Sequence, residues 1–296
     1  MPSDLASGAL FGILGLLIGS FLNVVIHRLP QMMERQWATE IEQYSLESDA
    51  SSMRSDAGAN SIAPQEAFNL WTPRSRCPSC GNEVRWYENI PVLSYMFLRG
   101  RCSACKCRIS PRYPLVELLT GSIFYFCGIQ WGLTMPAAIW CAFSAALVAL
   151  AFIDWDTTLL PDDITLPLLW GGLLAAALGY LSVPLFSSVM GAVGGYLSLW
   201  TVYWAFKLTT GKEGMGYGDF KLFAALGAWF GWQALIPIIL IASVIGALVG
   251  IGMKLNKSLR EGAYVPFGPF LVGAGFAAMF FGSDQILRTV LGVLGL

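Results

Sequence analysis

Five carboxylates stand where an apolar chain has least reason to hold them. Asp154 and Asp156 end one uncharged run in Phe152-Ile153-Asp154-Trp155-Asp156, and Asp162 and Asp163 follow Pro161. Asp219 closes Gly214-Met215-Gly216-Tyr217-Gly218-Asp219, directly before another apolar run. Charges near bilayer depth are costly, which makes these acids functional candidates. Two of them brought together suit peptide hydrolysis: an ionised carboxylate draws a proton from water while a protonated one donates to the scissile carbonyl oxygen. Like charges at short range do not both ionise easily, so such a pair shares a proton and titrates as a unit. Glycines ahead of Asp219, Gly216 and Gly218 among them, would let an extended peptide approach the carboxylate. The alternative is helix capping. Asp162 or Asp163 after Pro161, and Asp219, are placed to cap the helices that follow them. Asp154 resists that reading, because the C-terminus of a helix disfavours a negative charge.

A second constellation is Cys77-Pro-Ser-Cys80-Gly with Cys102-Ser-Ala-Cys105, a C-x2-C-x21-C-x2-C spacing. Each knuckle aims two thiolates at one ion, and Gly81 supplies the positive φ that such a turn wants. Four soft ligands leave no open position for water, so the expected ion is one structural zinc, holding a small zinc-ribbon-like module together. The alternative is four reduced thiols without metal. Cys107 is a possible substitute ligand for Cys105, whereas Cys127 and Cys141 fall inside expected helices and read as packing. The sole histidine, His27, stands beside Arg28 and leaves no Ser-His-Asp triad to assemble. It reads as an interfacial residue.

The elements that must position these groups are membrane helices. Of 296 residues 55% are apolar and only 12% charged, against about 45–50% and about 25% in ordinary soluble domains. A net charge of −1 gives no basic field for nucleic acid. The uncharged runs are 5–26, 118–153, 164–206, 222–253 and 262–283. At about 20 residues per span they read as one, two, two, two and one helices, about eight in all. Turn signals divide the doubled runs at Gly132 to Pro136, at Ser182 to Ser188 with Pro184, and at Gly231 to Gln233. Met1 to Asp4 lacks the basic start of a signal peptide, so the first run is expected as a retained helix.

With eight spans, 17 of the 18 Lys and Arg fall on one side, Arg288 being the exception. That side is expected to be cytoplasmic, with both termini on the other. The expected organisation is an all-α polytopic membrane protein: a first transmembrane helix at 5–27, a cytoplasmic loop at 28–113 with its four-cysteine module at 71–113, and a core of about seven helices at 114–292. Within the loop, 31–45 could form a polar amphipathic helix, and 46–63 is Ser/Ala/Asp-rich and reads as a flexible linker.

The motifs together resemble the type IV prepilin leader peptidase/N-methyltransferases, GxGD-type intramembrane aspartic proteases. The resemblance rests on Gly216-Tyr217-Gly218-Asp219-Phe220-Lys221, on Ile153-Asp154-x-Asp156 followed by Leu159-Leu160-Pro161-Asp162, and on the two knuckles after His27-Arg28-Leu29-Pro30. Gly19 to Asn23, Glu88 to Pro91, Arg112 to Glu117 and Pro266 to Pro269 are similar to further family segments, so nearly the whole chain is covered. The resemblance implies a catalytic pair on Asp154 and Asp219, a choice that spacing alone leaves open. It makes Gly216, Gly218, Asp156, Asp162, Asp163 and Lys221 supporting residues. It also implies a multi-pass protein of the bacterial inner membrane that cleaves leaders of type IV prepilins and pseudopilins at the cytoplasmic face. Methylation of the new N-terminus with S-adenosylmethionine follows from the resemblance alone, and its site is open, with the cytoplasmic loop, Glu88 to Pro91 within it, a candidate. The other reading of the acids is a transporter using intramembrane carboxylates as an ion relay.

Overall fold

Proline and glycine break the apolar runs where the chain has to fold back. The computed structural model describes residues 2–52, 68–256 and 265–293. Its elements are α1 (Pro2–Ser52), the short α2 (Leu93–Phe97), α3 (Arg112–Trp131), α4 (Met135–Thr157), α5 (Asp162–Ala177), α6 (Leu185–Thr210), α7 (Tyr217–Phe230), α8 (Leu235–Leu255), α9 (Gly268–Phe281) and α10 (Ser283–Val293). Among the described residues there is no strand, only two isolated antiparallel bridges in the cysteine module. The fold is all-helical. Gly132 caps α3 with φ 63° and Pro136 opens α4. Pro184 precedes α6, and Gly231, φ 81°, separates α7 from α8. Each expected turn falls between two helices.

Among the described residues four helical stretches are long and apolar enough to cross a membrane: Leu5–Ser45, Met135–Thr157, Leu185–Thr210 and Trp232–Leu255. The expected eight spans correspond to α1 and α3 to α9, but not all have full length. α5, α7 and α9 have 16, 14 and 14 residues, roughly 21–24 Å at about 1.5 Å per residue, short of a hydrocarbon core of about 30 Å.

The first helix does not stop at His27. α1 runs on through Pro30 to Ser52, so the separate helix expected at 31–45 is a continuation of the first span. Tertiary contacts hold the extension: buried Arg28 donates to the carbonyls of Asn69 at 2.8 Å and Pro73 at 2.5 Å, and Arg35 lies 3.9 Å over the Phe68 ring. The linker expected at 46–63 is helical over 46–52, and its remainder lies outside the described residues. Lys257 and Arg260 lie outside them too, while Arg288 sits on α10, an element the charge pattern does not announce.

Two apolar cores meet on α4. One joins α1, α3 and α4 through Phe124, Val148 and Ile153; the other joins α4 to α9 through Leu147, Phe220, Leu226 and Leu271. Small residues let the backbones approach closely. A Cβ on Gly15 would lie 2.9 Å from the Gly121 Cα, and one on Gly128 would lie 2.7 Å from the Ser7 carbonyl oxygen. Gly191 and Gly227 bring α6 and α7 together in the same way. Cys127 and Cys141 are buried in the first core, as packing residues should be.

Candidate active site and cysteine cluster

Asp154 lies in the last turn of α4 and is 4% exposed. Its Oδ2 accepts the backbone N–H of Gly268 at 2.9 Å. Gly268 is the first residue of α9, whose leading N–H groups have no partner within their own helix. The N-terminus of α9 thus supplies the positive end that the C-terminus of α4 lacks, which accounts for a carboxylate at that position. A side chain on Gly268 would not fit, since its Cβ would lie 2.6 Å from the same oxygen.

Asp219 is the third residue of α7, 7% exposed, in the first turn after Gly216. Its Oδ1 is buried without a hydrogen-bond partner among the described residues. Asp219 does not cap α7; the N-cap position is Gly216, and its backbone carbonyl accepts the Asp219 N–H at 3.3 Å. The two glycines differ in their surroundings. A Cβ on Gly216 would meet only the Asp219 carboxylate, at 3.7 Å, whereas one on Gly218 would strike the Leu160 Cβ at 2.6 Å. Gly216 therefore leaves space beside the acid, and Gly218 lets α7 close on the loop before α5.

Both carboxylates line one cavity of about 550 Å³. Met33, Gln36 and Trp37 of the α1 extension line it as well, with Asp162, Asp163 and Phe267. The α1 residues are the part of this site that sequence reasoning missed, because 31–45 reads as a separate polar helix and not as a continuation of the first span. Gly268 was visible within its motif, but not as a donor.

Two of the remaining acids form ion pairs between helices. Asp156 is paired with Arg112 at 2.6 Å, joining the end of α4 to the start of α3. Arg112 also lies 5.0 Å over the Phe152 ring. Asp162 and Asp163 are the first two residues of α5, yet neither caps it through a side chain. Asp162 instead takes the Lys221 ammonium, 2.7 Å from each of its oxygens, which ties α5 to α7. His27 stays exposed on α1 near Gln31, away from the cavity.

In the cysteine module the Sγ atoms of Cys77, Cys80, Cys102 and Cys105 all lie within 4.8 Å of one another. Four thiolates 2.3 Å from a tetrahedral ion would stand about 3.8 Å apart, and the Cys77–Cys105 separation is 3.8 Å. This donor set fits a metal ion. The Ser79 and Cys80 backbone N–H groups bring the Cys77 thiol down to about 6, while Cys80, against the Asn82 N–H, is pushed up to about 12 by the neighbouring thiols, Cys105 first. Cys107 approaches Cys77 at 3.5 Å without joining the four. Gly81 takes the expected positive φ of 71°, and Lys106 takes the matching position in the second knuckle at 60°.

Comparison with known proteins bears on the whole chain. Residues 13–131 match the bacterial peptidase A24 N-terminal domain, and residues 141–251 match the type IV leader peptidase family. A protein of Aeromonas salmonicida (strain A449) named "Prepilin leader peptidase/N-methyltransferase" is 51% identical over 283 residues, 94% of this chain and 92% of that one. The chain belongs to the type IV leader peptidase family. Relatives with the same name in Pseudomonas aeruginosa and Burkholderia pseudomallei (strain 1026b) are 49% and 46% identical, covering 96% and 93% of this chain and 93% and 85% of theirs. No solved structure matches the chain. Within this leader peptidase family member, Asp154 and Asp219 both fall in the segment matched at 141–251, and the cysteine cluster falls in that matched at 13–131. Gly268, which holds Asp154, lies beyond both. Family membership favours the peptidase reading of the acids over the transporter.

Proposed function

We propose that this protein cleaves the leader peptide of type IV prepilins and pseudopilins with Asp154 and Asp219, and N-methylates the residue so exposed. The observation that carries the proposal is the pair of buried carboxylates, from α4 and α7, lining one cavity in a chain 46–51% identical to proteins named for this activity. One aspartate, ionised, takes a proton from a water molecule as that water attacks the scissile carbonyl carbon. The other, protonated, donates to the carbonyl oxygen; collapse of the tetrahedral intermediate then passes the first aspartate's proton to the leaving nitrogen and returns a hydroxyl proton to the second, releasing the leader acid and the new amine. The Gly268 N–H orients Asp154 throughout. Gly216 leaves room for an extended peptide beside Asp219.

The protein is proposed to sit in the bacterial inner membrane with this cavity and the cysteine module on the cytoplasmic side. A prepilin, itself a membrane helix, would reach the cavity laterally between helices. The ion proposed for Cys77, Cys80, Cys102 and Cys105 is zinc, in a structural role. Three units are proposed: the first helix at 5–27, the loop at 28–113 and the core at 114–292, with α1 bridging the first two.

S-adenosylmethionine supplies the methyl group when bound. A second cavity, about 280 Å³ between α1 and residues 70–75, offers the stacked pair Phe21 and Trp71, 5.8 Å apart. Arg28 lines it as well and donates to two backbone carbonyls, and Ser20, Ser75 and Asn89 add polar groups.

The test is to incubate the purified protein with a prepilin, with and without S-adenosylmethionine, and weigh the product. Loss of the leader in both reactions, with a methyl increment only when the cofactor is present, is expected. An uncut prepilin would overturn the reading.

A further inference from the structure

The cysteine module is made of two halves with like backbones and unlike surfaces. In each, the first cysteine's N–H reaches a carbonyl five residues on: Cys77 to Asn82 and Cys102 to Cys107, both at 2.9 Å. Each half closes with an antiparallel bridge just outside its cysteines, Arg76 facing Glu83 and Arg101 facing Arg108. The first is an ion pair at 3.0 Å. The second sets two like charges opposite each other, an unfavourable arrangement unless an anion lies against them. Arg99, Arg101 and Arg108 are not fully buried and make no ion pair among the described residues.

Between the halves stands α2. Leu93, Met96 and Phe97 share one of its faces by their i, i+3, i+4 spacing and are 53%, 67% and 84% exposed. The depth of this helix is fixed from both sides. The Val92 N–H donates to Glu117 Oε2 at 2.8 Å, and the Ser20 hydroxyl donates to the Asn89 carbonyl at 3.5 Å. Ser20 belongs to the uncharged stretch 5–26 of α1. Glu117 lies five residues into α3 from Arg112, roughly 7.5 Å along the helix at about 1.5 Å per residue. Interfacial helices bury their apolar faces to about 5–10 Å at the headgroup and acyl boundary.

We propose that α2 lies in the bilayer interface, with Leu93, Met96 and Phe97 among acyl chains and Arg99, Arg101 and Arg108 on the phosphates of anionic phospholipid. The second knuckle then faces the membrane and the first faces water. This contact docks the module against the leaflet beside α1 and α3, and it rests on the membrane placement of the chain.

Photo-crosslinking in proteoliposomes of phosphatidylethanolamine and phosphatidylglycerol tests it. Benzoylphenylalanine replaces Phe97, or Met96 if that variant does not fold, and in separate proteins Asn82 of the first knuckle and Leu248, 66% exposed on α8. A phospholipid mass increment on the peptides containing 97 and 248, and none at 82, is expected. An increment at 248 without one at 97, or a protein adduct at 97, overturns the docking of α2 while leaving the membrane reading intact. No increment at 248 contradicts the membrane reading itself. In a protein also carrying Arg101→Gln and Arg108→Gln, adducts at 97 should shift from phosphatidylglycerol to phosphatidylethanolamine; an unchanged ratio overturns the headgroup contact.

Discussion

Asp154, at the end of one helix, accepts the first N–H of another from Gly268, and a single methyl group at Gly268 would occupy the space of that bond. Gly268→Ala is therefore expected to displace the carboxylate while leaving the apolar core in place. A shift near 1 Å at a reacting group costs on the order of 100-fold in rate. Leader cleavage should fall by that order while thermal unfolding changes little, as measured by cleavage kinetics beside a melting curve. Full activity in this variant would remove Gly268 from the positioning of Asp154.

The neighbours of the pair should behave differently from the pair. The Lys221–Asp162 contact is partly exposed, with side-chain exposures of 29% and 52%, so it contributes about 0–1 kcal/mol to stability. Asp162→Asn and Lys221→Met are expected to lower cleavage without abolishing it and to unfold close to the unaltered protein. Complete loss of cleavage in Asp162→Asn, with normal unfolding, would move this acid into the chemistry.

Metal analysis addresses the cysteine cluster. About one zinc per chain is expected, lost in Cys77→Ser and Cys105→Ser but kept in Cys107→Ser, since Cys107 stands outside the four clustered thiols. Zinc retained in Cys105→Ser and lost in Cys107→Ser would reassign the fourth ligand. Total absence of metal from the purified protein would remove the claim and leave the aspartates untouched.

The α1–α3 contact makes a prediction about stability alone. Gly128→Val would place its Cβ 2.7 Å from the Ser7 carbonyl oxygen, and overpacking of this kind costs about 1–3 kcal/mol. Unfolding in detergent should report that loss; an unchanged transition would mean that the two helices separate without penalty.

The helix breaks were legible because Gly132, Pro184 and Gly231 act through local backbone chemistry that the residue type alone carries. The five acids were legible because a carboxylate beside an apolar run is costly wherever the chain goes. The continuation of α1 was not: residues 31–45 read as a polar helix separate from the first span, and the contact that anchors the junction is Arg28 reaching carbonyls 41 and 45 residues away. The partner of Asp154 was hidden for a related reason, being a backbone N–H that any residue would offer. The capping expectation for Asp162 failed because Pro161 holds the N-cap position and Asp162 is already the first residue of the helix, where its oxygens take the Lys221 ammonium. The positive φ at Lys106 has no sequence marker, and shows itself only through the likeness of the two knuckles.

The central claim is that Asp154 and Asp219 act as one pair. The most direct measurement is leader cleavage in detergent by Asp154→Asn and by Asp219→Asn, each first shown to elute and unfold like the unaltered protein, with the prepilin weighed after incubation. No cleaved product is expected from either variant; leader removal by a folded variant of either kind would show that one aspartate suffices.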